Sequence, residues 1–379
     1  MSSRRKFIAS ASALAGGLVI APTLVGCASG QRDGTPQDLD AATSPPDDRK
    51  LGVALLGLGG YAKGQIGPAL KRTQHCEVRG LITGSPDKLP KWRAEYGVAE
   101  EHCYTYDDMA RIADDAAIDV VYVITPTSTH RDFTVRAAEA GKHVWCEKPM
   151  AMTPADCQAM IDACAANGVR LAIGYRMLHE PNTQAFIAAR EAEPFGSLEQ
   201  LTAHAGYGGT PPPLDYWRGQ RAMGGGALYD MGVYTVNGLR YATGMRPEAV
   251  LEAEQERPEQ VDLTTTYTLR FPGGVLASGK TSVVEKVNVL RNDYADGWLK
   301  LDPMQPYSGV KGYASDGRDF PEALQSPEQQ RRQMDNDARA ILDGTPFLAP
   351  GEEGKIDVAI IRAIIESAET GREVAINYG

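Results

Sequence analysis

The order of hydrophobic segments predicts an α/β protein. An N-terminal doubly wound parallel sheet of Rossmann type precedes a second α/β domain with a large, mostly antiparallel open sheet. Three observations lead there. Short apolar strands alternate with helical stretches from Leu51 to Ile173, and a glycine-rich turn joins the first strand to the first helix. After about residue 175, strand-like segments follow one another without helices between them. The first rhythm specifies parallel βαβ units, because parallel neighbours need a crossover long enough to hold a helix. The second specifies antiparallel neighbours.

In chain order, the apolar run 51–58 reads as the first strand, 62–72 as a helix and 77–82 as the second strand. Strands follow at 119–124, 143–146 and 171–173, separated by helices at 129–140 and from Pro154 onward. In the second half, helices are expected near 182–191 and 226–243, and strands at 198–205, 249–254, 263–271 and 275–284. Phe271-Pro272-Gly273-Gly274 reads as a hairpin turn between the last two. Helices near 327–343 and 351–370 close the chain. The expected division is a signal segment at 1–30, an arm at 31–49, a nucleotide-binding domain at 50–174 and a second domain at 175–379. The terminal helices are free to pack back on the first domain.

A chain of 379 residues, 42% apolar, can bury a core in each domain. Its formal charge of −10 repels phosphate backbones and argues against a nucleic-acid partner. Ser3-Arg4-Arg5-Lys6-Phe7-Ile8 and the apolar run after it read as a twin-arginine signal, which exports folded proteins and points to the periplasm; an ordinary secretory signal that happens to carry two arginines is the other reading. Gly16, Gly17 and Pro22 interrupt that run, which disfavours a transmembrane anchor. Leu24-Val25-Gly26-Cys27 fits a lipobox, in which Cys27 would carry lipid; chance crowding of small residues at a cleavage site explains it equally well. The remaining Cys76, Cys103, Cys146, Cys157 and Cys164 are odd in number and lack C-x-x-C spacing, so they read as buried thiols. The six histidines show no metal-binding spacing, and no metal is expected.

Gly57-Leu58-Gly59-Gly60-Tyr61-Ala62 fits the dinucleotide pattern G-x-G-x-x-A in its proper place between strand and helix. Gly57 allows the tight turn, Gly59 lets a pyrophosphate approach the backbone, and Ala62 packs the helix closely on the strand. The second strand ends Leu81-Ile82-Thr83-Gly84-Ser85, without the acid that would accept a ribose 2′-hydroxyl. Thr83, Ser85 and Lys88 offer hydroxyls and a cation to a 2′-phosphate, so the expected cofactor is NADP. Lys88 as a plain solvated residue, with loose specificity, is the other reading.

Cys146-Glu147-Lys148-Pro149 follows a strand end on the ligand-binding side of such a sheet. Lys148 there can donate to a substrate oxygen or support a neighbouring acid–base group. A surface pair of Glu147 with Lys148 is disfavoured, because adjacent strand residues point oppositely. In Gly224-Gly225-Gly226-Ala227-Leu228-Tyr229-Asp230-Met231-Gly232-Val233-Tyr234, the glycines are expected to let backbone approach a ligand. The helix after them places Asp230 and Tyr234 on one face. Tyr234 can move a proton at a carbonyl or hydroxyl if Lys148 stabilises the phenolate, with Asp230 orienting the substrate; packing is the alternative role for such a tyrosine.

Together these segments resemble the glucose–fructose oxidoreductases and their dehydrogenase relatives over nearly the whole chain. The matching stretches include residues 57–62, 140–150, 173–176, 217–218 and 224–234, and Pro350-Gly351-Glu352-Glu353-Gly354. The resemblance implies Lys148 and Tyr234 as the catalytic pair, with Asp230 on the sugar. It implies Thr83 and Lys88 beside the 2′-phosphate, and Thr125, Pro126 and His130 along the nicotinamide half. Glu147, Arg176, Trp217 and Arg218 are implied as cofactor-lining. It further implies an open sheet that mediates homo-oligomers, and a periplasmic enzyme with tightly bound NADP. Such an enzyme oxidises an aldose at C1 to a lactone and reduces a second sugar. An aldose–aldose oxidoreductase and a plain NADP-dependent sugar dehydrogenase are the nearest alternatives, and a noncatalytic sugar- or nucleotide-binding protein the remote one. Met177-Leu178-His179-Glu180 departs from the branch's usual residues and leaves the acceptor sugar open.

Overall fold

The computed structural model describes residues 49–192, 195–257 and 260–379. The expected signal segment, Cys27 and nearly all of the arm lie outside the described residues. Among those described, six parallel strands form one sheet: β1 (Leu51–Leu56), β2 (Cys76–Thr83), β3 (Cys103–Thr105), β4 (Val120–Val123), β5 (His143–Cys146) and β6 (Leu171–Ile173). Their order is β3-β2-β1-β4-β5-β6, so the winding reverses between β1 and β4, where open α/β sheets bind dinucleotides. Every residue of β1 and β4 is buried, as continuous apolar runs require when helices cover both faces. Those helices include α1 (Gly67–Leu70), which continues a π-helical turn at Ala62–Ile66, and α2 (Leu89–Tyr96), α3 (His130–Glu139) and α4 (Pro154–Ala166).

The second sheet contains β7 (Leu198–Tyr207), β8 (Ala249–Glu256), β9 (Thr264–Arg270), β10 (Leu276–Ser282), β11 (Lys286–Tyr294), β12 (Gly297–Leu301), β13 (Gly312–Ala314) and β14 (Val374–Ala375). Their order is β13-β12-β11-β7-β10-β9-β8-β14; β7 and β10 run parallel, and the other neighbours antiparallel. Along β7, Leu201, Ala203 and Ala205 are buried while Gln200, Thr202 and His204 are more exposed, so one face is covered and the other open. The covered face meets α5 (Pro181–Glu191) and α6 (Val233–Thr243). Two hydrogen bonds fix α6 there: Asn292 Nδ2 donates to Ala242 O at 2.8 Å, and the Thr235 and Tyr267 hydroxyls meet at 2.6 Å.

The chain then returns to the first sheet. In α7 (Glu328–Leu342), Met334 and Ala338 pack with Leu55, Tyr122 and Trp145. Asp335 of the same helix accepts from the backbone of Gln74 and His75 at 2.7 and 3.0 Å. The final helix, α8 (Gly351–Thr370), packs on α4 and β8.

Candidate active site

The glycine turn after β1 is built for close approach. Gly57 has φ 102°, and a Cβ there would stand 2.6 Å from Ile124 O at the end of β4. Leu58 and Ala62 are buried beneath the turn. At Gly59 and Gly60 an ideal Cβ meets no protein atom within 4 Å, so this stretch of backbone faces open space. A pyrophosphate fits such a cradle. At the tip of β2, Thr83 is buried and its Oγ1 accepts from Ser85 N at 3.0 Å. Gly84 and Lys88 are exposed beside it, and so is the carboxylate of Asp87.

The loops after β4 and β5 are tied together by His130. Its Nε2 lies 2.8 Å from Thr125 O and its Nδ1 2.9 Å from Pro149 O, and the ring is 1% exposed. Burial lowers its pKa, against the opposing pull of the carbonyls around it. His130 therefore shapes the Thr125-Pro126 loop from behind, and neither ring nitrogen is free for a nicotinamide.

Glu147 and Lys148 lie just beyond the end of β5 and reach in different directions. Glu147 Oε1 accepts from Tyr122 Oη at 2.7 Å, and its Oε2 from Lys148 N at 3.3 Å. Gln333 Nε2 of α7 donates to Tyr122 Oη at 3.2 Å. Burial raises the Glu147 carboxyl above the usual carboxylate range. Gly174 makes room for it, since a Cβ there would sit 2.8 Å from Oε1. Glu147 thus anchors the Lys148 loop from inside the protein.

Lys148 reaches the other way, into the second domain. Its Nζ donates to Asp230 O at 2.8 Å and lies 3.8 Å from Asp230 Oδ1. The same nitrogen is 4.4 Å from the centroid of the Tyr234 ring. Asp230 falls in a π-helical turn, Leu228–Gly232, that runs directly into α6 with Tyr234 in its first turn. The three residues expected to act together are therefore adjacent.

Other expectations change. The glycines 224–226 do not open the backbone to a ligand. A Cβ at Gly224 would be 2.6 Å from Thr127 Cβ, at Gly225 2.3 Å from Arg218 O, and at Gly226 2.2 Å from Asp262 Oδ1. They serve close packing inside the protein. Arg218 is engaged with the expected sugar-binding residue: its Nε donates to Asp230 Oδ2 at 3.0 Å and its Nη1 to Tyr216 Oη at 2.7 Å. Trp217 lies under that guanidinium at 4.3 Å, so this pair flanks Asp230. Arg176 is buried and held by Gln329 and the carbonyl of Gln305. Its guanidinium lies 5.1 Å from the Tyr234 ring centroid and 4.8 Å from that of Tyr307, making it a second cation at Tyr234.

Several of these partners were not visible in the sequence. Tyr307, whose ring lies 6.1 Å from that of Tyr61, and Gln305 sit on a loop without a motif. Asp262 accepts from Leu228 N at 2.8 Å and Thr265 Oγ1 at 2.6 Å, and so anchors the start of the turn that carries Asp230.

A glycine cradle at the sheet's switch point, beside a tyrosine flanked by two cations and a carboxylate, defines a Rossmann-type oxidoreductase. A family model described as an oxidoreductase family with an NAD-binding Rossmann fold matches residues 51–175, and the GFO/IDH/MocA C-terminal domain matches residues 184–292. The chain belongs to the GFO/IDH/MocA oxidoreductase family. An aldose–aldose oxidoreductase from Caulobacter crescentus, crystallised with glycerol, is 38% identical with a TM-score of 0.81, over 86% of this chain and 100% of that one. The NADP-dependent D-xylose 1-dehydrogenase of Haloarcula marismortui is 27% identical, covering 87% of this chain and 94% of its own. A second NADP-dependent D-xylose 1-dehydrogenase, from Haloferax volcanii, is also 27% identical, over 85% and 99%.

Proposed function

We propose that this protein is an exported, self-contained sugar oxidoreductase. It keeps NADP bound, oxidises an aldose at C1 to the lactone and passes the two electrons to a second aldose, which leaves as the alditol. Its broad class is an NADP-dependent oxidoreductase acting on sugar hydroxyls, in keeping with its relatives. The observation that carries the reading is the placement of the Lys148 ammonium 4.4 Å over the Tyr234 ring. The aldose as acceptor draws support from the 38% identical aldose–aldose oxidoreductase.

Residues 57–62 would hold the pyrophosphate, and Thr83, Ser85 and Lys88 the 2′-phosphate. NADP, when bound, supplies the hydride exchange. The chain's own residues do the rest. Tyr234 accepts the proton of the C1 hydroxyl during oxidation and returns it to the carbonyl oxygen of the second sugar. Lys148 offsets the negative charge of the Tyr234 phenolate that takes up the proton in the first half-reaction and is regenerated in the second. Asp230, held by Lys148 and Arg218, offers a fixed acceptor to a sugar hydroxyl. Hydride and proton given up by one sugar are regained by the other, so the cycle consumes no nucleotide.

The twin-arginine segment supports export after folding, with cofactor in place. Outside the cytoplasm a released cofactor would not be recycled, and one turnover would end the reaction. Initial rates measured with two sugars and no added nucleotide should give parallel double-reciprocal lines; intersecting lines would contradict an alternating cycle. Replacing Thr83 with Asp should shift preference from NADP toward NAD by about tenfold or more, because like charges ~4 Å apart repel by roughly 1–4 kcal/mol. An unchanged affinity ratio would remove Thr83 from the 2′-phosphate.

A further inference from the structure

The motif Pro350-Gly351-Glu352-Glu353-Gly354 has no part in this chemistry, yet it opens α8 where both halves of the site converge. The chain arrives clamped to the end of the first sheet: Ile173 N donates to Ala349 O at 2.8 Å, and Pro350 pairs with Ala172. Gly354 then lies against Met150, two residues after Lys148. A Cβ at Gly354 would be 2.8 Å from Met150 Sδ and 2.9 Å from Met150 Cβ, and Met150 is fully buried. Glycine within a helix is less favourable than alanine, so its presence calls for a reason, and this contact supplies one.

The same two turns of α8 hold the helix of Tyr234. Glu353 and Asp357, one turn apart, both bind Arg240 of α6, with Oε2 at 2.5 Å from Nη2 and Oδ1 at 2.6 Å from Nη1. Asn237, one turn after Tyr234, donates to Asp357 Oδ2 at 2.9 Å. Asp357 is fully buried and Arg240 nearly so, and a guanidinium paired to two carboxylates has little freedom of orientation.

We infer that the first two turns of α8 are a brace that sets the spacing between Lys148 and Tyr234, with Glu353, Gly354 and Asp357 as positioning residues for proton transfer. The inference rests on Lys148 and Tyr234 being the reacting pair. A displacement of about 1 Å at such a pair costs up to ~100-fold in rate.

The test is Gly354→Ala in the full protein carrying its cofactor. It should keep bound NADP and stay folded, with a melting temperature lowered by a few degrees, since overpacking against Met150 costs about 1–3 kcal/mol and alanine's helix preference returns about 1 kcal/mol. The sugar-dependent kcat should fall at least ~10-fold with KM little changed, because the displaced Met150 pushes the Lys148 loop. Adding Met150→Gly, which removes the two nearest of the three atoms that the new methyl meets and leaves Ile173 Cγ1 at 3.1 Å, should restore most of the lost rate through direct coupling. Wild-type kcat in Gly354→Ala, loss of its cofactor, or failure of the double variant to recover would each overturn the brace. If Gly354→Ala does not fold, Glu353→Gln decides. A kcat reduced severalfold at constant KM with NADP retained supports the brace, and a wild-type kcat overturns it. A wild-type protein whose bound cofactor ignores every aldose would instead overturn the proposed function.

Discussion

Replacing Tyr234 with Phe is expected to lower the rate at which an aldose reduces the bound cofactor by about 10²- to 10⁴-fold, the usual worth of a positioned acid–base group. The substitution keeps the ring, and with it the contacts to Lys148 and Arg176 at 4.4 and 5.1 Å from its centroid. Only the hydroxyl is lost, so folding and NADP occupancy should survive. Stopped-flow absorbance of the nicotinamide after mixing with an aldose reads the step directly. A rate within a few-fold of wild type would assign the proton to another group, for which the facing phenols of Tyr61 and Tyr307 are the candidates.

Lys148→Met should cost about 10²- to 10³-fold in kcat, comparable to the loss of one preorganised charged donor at a reacting centre. Methionine fills similar space but carries no charge. It leaves Asp230 with Arg218 alone, and Tyr234 with Arg176 as its remaining cation. That buried guanidinium is the physical reason to expect residual activity. Steady-state kinetics separate two roles: a fall in kcat with a steady KM means Lys148 acts at the proton-transfer step, whereas a rise in KM alone would make it a binding residue.

The first sheet was legible because its central strands are buried on both faces and therefore read as unbroken apolar runs. β3 escaped notice at three residues, and α2 because Trp92 is its single buried residue. β11 was hidden for a chemical reason. Two of its inward positions are asparagines, Asn288 and Asn292, which spend their amides on the backbone of Met304, Gln305 and Ala242. Polar residues bonded to backbone in this way break the alternation that marks a strand.

At the site, a strand end and a helix face drew attention to Lys148, Asp230 and Tyr234, but spacing alone left Tyr234 as readily a packing residue, and the resemblance supplied the roles. Their supports did not stand out at all. Tyr122 meets Glu147 across 25 residues of sequence and Gln333 across 211, and no local pattern encodes either meeting. The glycines 224–226 were misread because a glycine needed for internal packing and one needed for a ligand look alike in sequence. The structure tells them apart: Gly59 and Gly60 face open space, whereas Gly225 would strike the Arg218 carbonyl.

In the proposed cycle, hydride and proton leave an aldose at Lys148 and Tyr234 for a cofactor the protein already holds. The most direct test is an absorbance spectrum of the purified protein before and after adding an aldose, with no nucleotide supplied. A reduced-nicotinamide band should appear on addition of the sugar and be lost when a second aldose is reduced. A preparation free of nicotinamide that takes up no nucleotide, or one whose bound cofactor stays unchanged with every aldose, would contradict it.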